Sequence, residues 1–185
     1  IPIYEKYFKN IKNKKLNILE IGIGGYQNPK YGGESLLTWS EYFNNSSIVG
    51  ADLFEKDLKL PYNIKTVKFD QSKPNQINEL GKIYGNFDII IDDGSHISSH
   101  IINTFEILWN YLNDNGIYVV EDTQTSYWSK FGGYNEPNPN RATSYFQNLT
   151  DGLNYTEFLE KDYLPCDIQK KLDYIHFYHN IIFIG

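Results

Sequence analysis

Short apolar runs alternate along the chain with longer segments whose apolar positions follow a helical period. Five runs have the length of buried strands, and each ends at a glycine or an acid: residues 16–21, 46–52, 64–70, 87–91 and 117–120. Helical patterns lie around and between them, in residues 1–15, 34–43, 74–84, 98–112 and 142–153. Strands that alternate with helices predict an α/β fold, a doubly wound and mostly parallel sheet with both faces covered.

The last part of the chain has a different pattern. Two apolar runs, residues 174–178 and 181–184, flank His179-Asn180, which predicts an antiparallel carboxyl-terminal hairpin and brings the expected sheet to seven strands. Residues 123–141 are rich in Gly, Pro and Asn and are too long for an ordinary connection, so we expect a lid or substrate loop there. A length of 185 residues suits one domain over residues 1–185.

Composition excludes several classes of protein. With a net charge of −6 and a pI near 5.2, the chain lacks the excess of basic residues that is typical of nucleic-acid-binding proteins. No apolar run approaches the ~20 residues of a membrane span, and no signal-peptide pattern stands at the front, so we expect a cytoplasmic protein without a membrane partner. The single cysteine, Cys166, excludes an internal disulfide framework. The sequence starts at Ile1 and contains no methionine, which leaves open that it belongs to a longer chain.

A glycine-rich turn follows the first predicted strand, where Glu20 precedes Gly22 and Gly24. Such a turn lets a ligand approach the backbone, and the amides of a following helix favour a negative group. A dinucleotide fingerprint would need a third glycine where the chain has Gln27, so nicotinamide binding is disfavoured. An acid just before the turn suits a ligand that carries an ammonium group. Taken alone, the turn is equally consistent with a purely structural role.

Acids recur at the carboxyl ends of the predicted strands: Asp52, Asp70 and Asp93, with Glu121 and Asp122. A single acid at a strand end is common as a cap for the following helix. Acids at several strand ends of one sheet are less easily explained as caps alone. A carboxylate after the second strand is well placed to accept hydrogen bonds from both hydroxyls of a ribose.

Two of these strand ends should lie side by side and bring Asp93, His96, Glu121 and Asp122 to one crevice. Three close carboxylates repel one another unless a cation compensates them, and oxygen ligands favour Mg2+, Mn2+ or Ca2+. His96 could face the same crevice as a general base without ligating the metal. The alternative is that Asp93-Gly94-Ser95 is only a turn and helix cap, and it fits the spacing equally well.

The order of these motifs resembles that of class I S-adenosylmethionine-dependent methyltransferases: a glycine turn, an acid, Asp70-Gln71-Ser72, Asp-Asp-Gly-Ser-His and Glu-Asp, after strands one to five in turn. Within that class the chain is most similar to the metal-dependent sugar O-methyltransferases of macrolide tailoring, the macrocin and mycinamicin type. The resemblance covers roughly residues 16–123 and the terminal hairpin.

The resemblance implies a Rossmann-like methyltransferase fold and a Mg2+ (or Mn2+) site formed by Asp93, Glu121 and Asp122. It also implies catalytic roles for His96, as the base, and for Asp93. The residues that it places at S-adenosylmethionine are Glu20, Gly22, Gly24, Ser35, Asp52, Asp70, Gln71, Ser72 and Asp92. Among these, Glu20, Gly22 and the helix start at 33–35 would surround the methionine part. Asp52 would hold the ribose, residues 70–72 would lie near the adenine, and the role of Asp92 stays open.

We therefore expect a Mg2+-assisted O-methyltransferase that acts on a hydroxyl of a saccharide or a sugar-containing small molecule. Two alternatives stay open: a metal-independent small-molecule methyltransferase that uses His96 alone, and a catalytically silent S-adenosylmethionine-binding module. Neither the acceptor nor the oligomeric state follows from the sequence, and a homo-oligomer is one option.

Overall fold

The computed structural model describes residues 2–159 and 163–185, whose strands form one seven-stranded sheet. The strands are β1 Asn17–Ile21, β2 Ser47–Asp52, β3 Ile64–Lys68, β4 Phe87–Asp92, β5 Leu112–Glu121, β6 Ile175–Tyr178 and β7 Ile181–Ile184. Their order across the sheet is β3-β2-β1-β4-β5-β7-β6. Strands β1 to β5 pair in parallel, whereas β7 runs antiparallel between β5 and β6. The predicted mostly parallel sheet with an antiparallel terminal hairpin is confirmed.

The strand order reverses between β1 and β4, since the chain builds outward through β2 and β3 before it returns to the other side of β1. In open α/β sheets the connections diverge at such a point and leave a crevice beyond the carboxyl ends of the strands. The glycine turn after β1 and the Asp-Asp-Gly-Ser-His segment after β4 both lie at this crevice.

Among residues 2–159 and 163–185, six α-helices accompany the sheet: α1 Pro2–Phe8, α2 Glu34–Tyr42, α3 Pro74–Tyr84, α4 Ser98–Leu108, α5 Ala142–Asn148 and α6 Asp167–Lys171. Helix α4 ends four residues before the predicted boundary at 112, because a 3-10 turn over Trp109–Tyr111 leads directly into β5. Helix α5 likewise tightens after Asn148 into a 3-10 segment, Leu149–Glu157. The lead-in helix is shorter than the predicted segment 1–15.

Each face of the sheet carries its own apolar core. Alternate residues of the strands point to opposite faces, so that Leu19 and Ile21 belong to one core and Ile18 belongs to the other. The first core is covered by α3, α4 and α5, which contribute buried residues such as Phe105. The second is covered by α1 and α2, with Phe8 fully buried in it. Within the described part of the chain, no helix has both the length and the apolar character that crossing a membrane requires.

The loop predicted over 123–141 has an internal anchor. It contains two 3-10 turns, Thr123–Tyr127 and Ser129–Phe131, and it ends at the buried Arg141. The guanidinium donates from Nε to Ser144 Oγ at 3.0 Å and from a terminal nitrogen to the carbonyl of Tyr134 at 3.3 Å, and it lies 4.8 Å from the ring centroid of Tyr127. The loop is therefore held at its base, and its role as a lid stays a prediction.

Candidate active site

A cavity of about 640 Å³ lies at the carboxyl ends of β1, β2 and β4. Nine of the residues that the sequence nominated share its lining: Gly22, Gly24, Asp52, Asp70, Gln71, Ser72, Asp93, His96 and Asp122. Parallel strands end at the same edge of the sheet, and this is why residues so far apart in sequence converge. Four other nominated residues lie outside that lining and support it from behind or beside: Glu20, Ser35, Asp92 and Glu121.

Gly22 lets the turn after β1 pass close to the turn after β4. Its φ is 83°, in the left-handed region, and a Cβ at this position would lie 2.1 Å from the carbonyl oxygen of Asp93. Only glycine fits both requirements. The close approach brings the glycine turn, a candidate site for the methyl donor, against Asp93.

Asp52 ties the end of β2 to the glycine turn. Its Oδ2 accepts a hydrogen bond from the Ile23 amide at 3.1 Å, and its Oδ1 accepts one from the Phe54 amide at 2.9 Å. A carboxylate offers about four acceptor positions, so the side chain retains capacity for a ligand's hydroxyls. The predicted contact with a ribose stays a prediction.

Gln71 connects the end of β3 to the turn after β4. Its amide donates to Asp92 Oδ1 at 2.8 Å, and its carbonyl accepts from the Ser95 amide at 2.8 Å. Burial raises the pKa of Asp92 to about 6, although its hydrogen bonds oppose that shift. Asp92 thus anchors the cavity wall from inside the fold, while its neighbour Asp93 faces the cavity. Consecutive residues at a strand end point to opposite sides, and this separates the two acids.

Asp70 and Ser72, which follow β3, also line the cavity. Ser72 donates from its hydroxyl to Asp70 Oδ1 at 2.6 Å, and this bond holds the pKa of Asp70 below its usual range. Asp70 therefore presents a charged carboxylate at the wall at neutral pH.

Asp93, Glu121 and Asp122 form the acidic cluster. Burial, followed by the charges of Glu121 and Asp122, raises the pKa of Asp93 to about 8. Burial and the charge of Asp122 also raise the pKa of Glu121, while a hydrogen bond opposes the shift. The three carboxylates are therefore not all charged at neutral pH without a compensating cation. One atom each of Asp93, His96 and Asp122 lie within 4.8 Å of one another, a spacing that a single ion can bridge. The carboxylate oxygens of Asp93 and Asp122 are the ligands that a hard divalent cation prefers.

Tyr4 holds Glu121 from the side of helix α1. Its hydroxyl donates to Glu121 Oε1 at 2.5 Å, and its ring packs at centroid distances of 5.1 Å from Trp39 and 5.4 Å from Phe183. Burial and the Glu121 carboxylate raise the pKa of the Tyr4 hydroxyl far above its usual range, so it remains a donor. No motif in the sequence signals this contact, which joins residues 117 positions apart.

His96 lies between the acidic cluster and the loop over 123–141. Its Nε2 is 3.8 Å from Asp122 Oδ2, and its ring is 6.3 Å from that of Phe131. Burial lowers the pKa of His96, and the Asp122 carboxylate opposes part of the shift. The imidazole is therefore neutral near pH 7 and can accept a proton. The 4.8 Å grouping with Asp93 and Asp122 also places it within reach of a metal, so the geometry allows a ligand as well as a base.

Glu20 lies beneath the glycine turn and faces helix α2. Ser35 Oγ donates to its Oε2 at 2.9 Å, and Trp39 Nε1 donates to its Oε1 at 3.3 Å. Burial raises the pKa of Glu20 to about 7, against the effect of these two bonds. Both oxygens thus bind the helix to β1. The predicted contacts of Glu20 and Ser35 with the methionine part of a cofactor stay predictions.

The cavity and its surroundings also include residues that are not among the predicted site residues. His100 lies on the lining, with Nδ1 2.8 Å from Ser95 Oγ. It lies in the first turn of α4, four residues after His96. Tyr26, 85% exposed, is at the mouth. Lys56 lies behind the glycine turn with its side chain buried, and no pattern in the sequence marks it.

No protein-family model matches the chain. It is similar to demethylmacrocin O-methyltransferase of Streptomyces fradiae, with 39% identity over 186 residues that cover 99% of this chain and 47% of the relative. It is 34% identical to mycinamicin VI 2''-O-methyltransferase of Micromonospora griseorubida over 186 residues, which cover 99% of this chain and 47% of that relative. The chain therefore spans about half the length of the curated relatives that it matches.

A solved structure with the same fold is MycE methyltransferase from the mycinamycin biosynthetic pathway, in complex with Mg and SAH. Its TM-score is 0.94 at 33% identity, and the match covers 100% of this chain and 48% of that one. A second structure of MycE holds Mg, SAH and mycinamycin VI, with a TM-score of 0.93 at 33% identity and coverage of 100% and 47%.

Proposed function

We propose that this chain, which is similar to macrocin- and mycinamicin-type sugar O-methyltransferases and spans about half of their length, is an S-adenosylmethionine-dependent, Mg2+-assisted O-methyltransferase. The acceptor would be a hydroxyl of a saccharide or a sugar-containing small molecule. The observation that carries the proposal is the convergence of Asp93, His96 and Asp122 on the same cavity that the glycine turn and Asp52 line. One wall suits the methyl donor, and the other suits deprotonation of an acceptor.

The donor half of the cavity has the form of a nucleoside site. Its volume of about 640 Å³ falls in the roughly 300–1,000 Å³ range of ligand pockets. Gly22 and Gly24 offer backbone without side chains, Asp52 offers acceptors for a ribose, and the Asp70-Gln71-Ser72 segment offers polar atoms at the far end. When bound, the donor supplies a methyl group that its sulfonium already activates, so that the C–O bond forms as the C–S bond breaks. The protein's part is then orientation and the removal of one proton.

Asp93, Glu121 and Asp122 would hold the cation. Burial and, after it, the charges of Glu121 and Asp122 raise the pKa of Asp93, and a divalent ion would relieve the repulsion among the three carboxylates. When bound, Mg2+ (or Mn2+) lowers the pKa of a neighbouring hydroxyl. The relative MycE was solved with Mg and SAH, and this supports the same pair of ligands here.

His96 would remove the proton. It is neutral near pH 7 because burial lowers its pKa, and its Nε2 faces the acidic cluster rather than the core. After transfer, the carboxylate of Asp122, 3.8 Å away, would stabilise the imidazolium. Phe131 would limit the access of water from the side of the loop.

The acceptor class and location complete the proposal. We propose a small-molecule acceptor rather than nucleic acid, because the net charge is −6. We propose a cytoplasmic location, for which the exposed and free thiol of Cys166 gives support.

The test measures transfer of a labelled methyl group from S-adenosylmethionine to candidate glycosides, with Mg2+, with EDTA, and after Mg2+ is restored. We expect EDTA to abolish transfer and His96→Ala to lower it by about 10²- to 10⁴-fold, the usual range for a general base. His179→Ala is the matched control, since His179 is exposed in the terminal hairpin turn.

Three outcomes distinguish the alternatives. Full activity in EDTA and in His96→Ala would refute the proposed mechanism. Activity that survives EDTA but not His96→Ala would favour a metal-independent methyltransferase. Binding of SAH with no turnover and no Mg2+-dependent acceptor binding would favour a silent module.

A further inference from the structure

The side chain of Lys56 is buried beneath the glycine-rich turn, and the residue lies in the segment that follows β2. Its side chain is 1% exposed, which is rare for lysine unless the charge is paired or fully hydrogen-bonded. The ammonium donates to the carbonyl of Gly24 at 2.6 Å, to that of Tyr26 at 2.8 Å and to that of Tyr31 at 3.4 Å. An ammonium has three protons, and here each has an acceptor in one loop.

The charge of Lys56 also has a partner. Asp52 Oδ1 lies 4.0 Å from the ammonium, and the same carboxylate accepts the amide of Ile23 at the start of the turn. Asp52 thus accepts a hydrogen bond from an amide of the turn, while Lys56 donates hydrogen bonds to carbonyls of the same turn. A second tie lies further along, where the Asp57 amide donates to the carbonyl of Pro29 at 2.8 Å. The segment after β2 therefore supports the loop at several successive points.

The loop needs such support because its own backbone provides little. Gly24 and Gly25 both have φ of 73°, and Gly32 has φ of 99°. Glycine adopts positive and negative φ about equally well, so the backbone does not by itself fix these three residues in this conformation. Three carbonyl oxygens directed at one point would repel one another without a donor between them. Lys56 supplies that donor and converts a flexible turn into a defined surface.

That surface is part of the cavity wall. Gly24 and Tyr26, two of the residues whose carbonyls Lys56 binds, line the cavity, whereas Lys56 itself lies behind them. We propose that Lys56 is a positioning residue for the methyl donor, which acts through the glycine turn by holding it in the binding conformation before the ligand arrives. The inference rests on the proposed function and adds a determinant of donor affinity outside the cavity. A preorganised loop binds more tightly because less of its freedom is lost on binding.

The experiment compares Lys56→Met, Lys56→Gln and the control Lys59→Met in the full chain. Methionine is unbranched and nearly as long as lysine but lacks the charge and the donors. Glutamine keeps two donors, and Lys59 is an exposed lysine of the same segment. Calorimetry with SAH gives donor affinity. Mn2+ binding, followed by electron paramagnetic resonance, reports the acidic cluster, whose residues lie at the carboxyl ends of β4 and β5.

We expect Lys56→Met to weaken SAH binding by about 10- to 100-fold, the cost of losing charge-assisted hydrogen bonds. Lys56→Gln should fall between that variant and the wild type, and Lys59→Met should stay within about twofold. Mn2+ affinity should not change in any variant. In a turnover assay KM for S-adenosylmethionine should rise while KM for the acceptor stays constant.

Unchanged SAH affinity in Lys56→Met would overturn the inference. A parallel loss of SAH and Mn2+ affinity would also overturn it, because that result marks a general loss of structure. If Lys56→Met does not fold, Lys56→Gln provides the same comparison. Failure of the wild-type chain to bind SAH would refute the proposed function and this inference together, and it would be evident before any variant is compared.

Discussion

Glu20 should make the stability of the fold depend on pH in a way that one substitution removes. The side chain is buried between β1 and α2, and burial raises its pKa from 4.5 to about 7. A carboxyl whose pKa is raised in the folded state binds its proton more tightly there than in the unfolded chain. Its ionisation therefore destabilises the fold progressively as the pH rises from about 4.5 to 7.

The magnitude follows from the size of the shift. Each pKa unit corresponds to about 1.4 kcal/mol, so the free energy of unfolding should lose roughly 2 to 3 kcal/mol between pH 5 and pH 8 through Glu20 alone. Glu20→Gln removes the ionisation and keeps the size of the side chain. The amide still offers one acceptor to Ser35 or Trp39, and the Ser35 hydroxyl can turn to accept from it.

The assay is urea unfolding of the wild type and Glu20→Gln at pH 5, 6, 7 and 8, followed by far-ultraviolet circular dichroism. Other acids of the site also titrate, so the informative quantity is the difference in unfolding free energy between the two proteins at each pH. We expect the unfolding free energy of Glu20→Gln, relative to that of the wild type, to rise by roughly 2 to 3 kcal/mol from pH 5 to pH 8. Glu79→Gln, at an exposed position on α3, should show no such trend. A difference between Glu20→Gln and the wild type that stays constant from pH 5 to pH 8 would refute the reasoning.

Two further predictions concern the cavity's supports. Tyr4→Phe removes the hydroxyl that donates to Glu121, so Mn2+ affinity measured by paramagnetic resonance should fall by about tenfold, as for other residues that orient a ligand. Gly22→Ala forces a Cβ against the carbonyl of Asp93 at a positive φ, and thermal unfolding should show a loss of about 2 kcal/mol or more. Gly132→Ala, at a similar φ but with open space around it, should cost only about 1 kcal/mol.

Controls separate these effects from general damage. Tyr62→Phe, at a fully exposed tyrosine, should leave Mn2+ affinity unchanged. Wild-type Mn2+ affinity in Tyr4→Phe would show that the hydroxyl does not orient Glu121. Equal losses of stability in Gly22→Ala and Gly132→Ala would show that backbone conformation alone, without the close approach to Asp93, sets the cost.

The pattern of apolar runs was sufficient to predict the layers and the strands, and it was weakest at their ends. The segment over 98–112 has helical periodicity to its last residue, yet Leu112 pairs with Phe87 as the first residue of β5. Periodicity describes which face of a segment is apolar. It does not record the competition between a helix's last turn and a neighbouring strand.

The acids of the site were predictable for a geometric reason, since parallel strands that follow one another place their carboxyl ends at one edge. The different roles of these acids were not predictable from the sequence. Asp92 and Asp93 are adjacent in sequence, but one binds Gln71 in the interior and the other faces Asp122 and His96. Which of the two faces the cavity depends on the phase of β4 relative to the sheet.

The sequence by itself determined the succession of strands and helices along the chain, the glycine turn, and the set of acids at the strand ends. These features depend on local composition and on the period of the side chains. Only the tertiary structure decided what holds those groups in place. Tyr4 reaches Glu121 across 117 positions, and Lys56 reaches Gly24 across 32. Such contacts depend on how α1 and the segment after β2 pack against the sheet. Hydrogen bonds between distant segments leave no periodic trace in either one, so the residues that support the site emerge only in the folded chain.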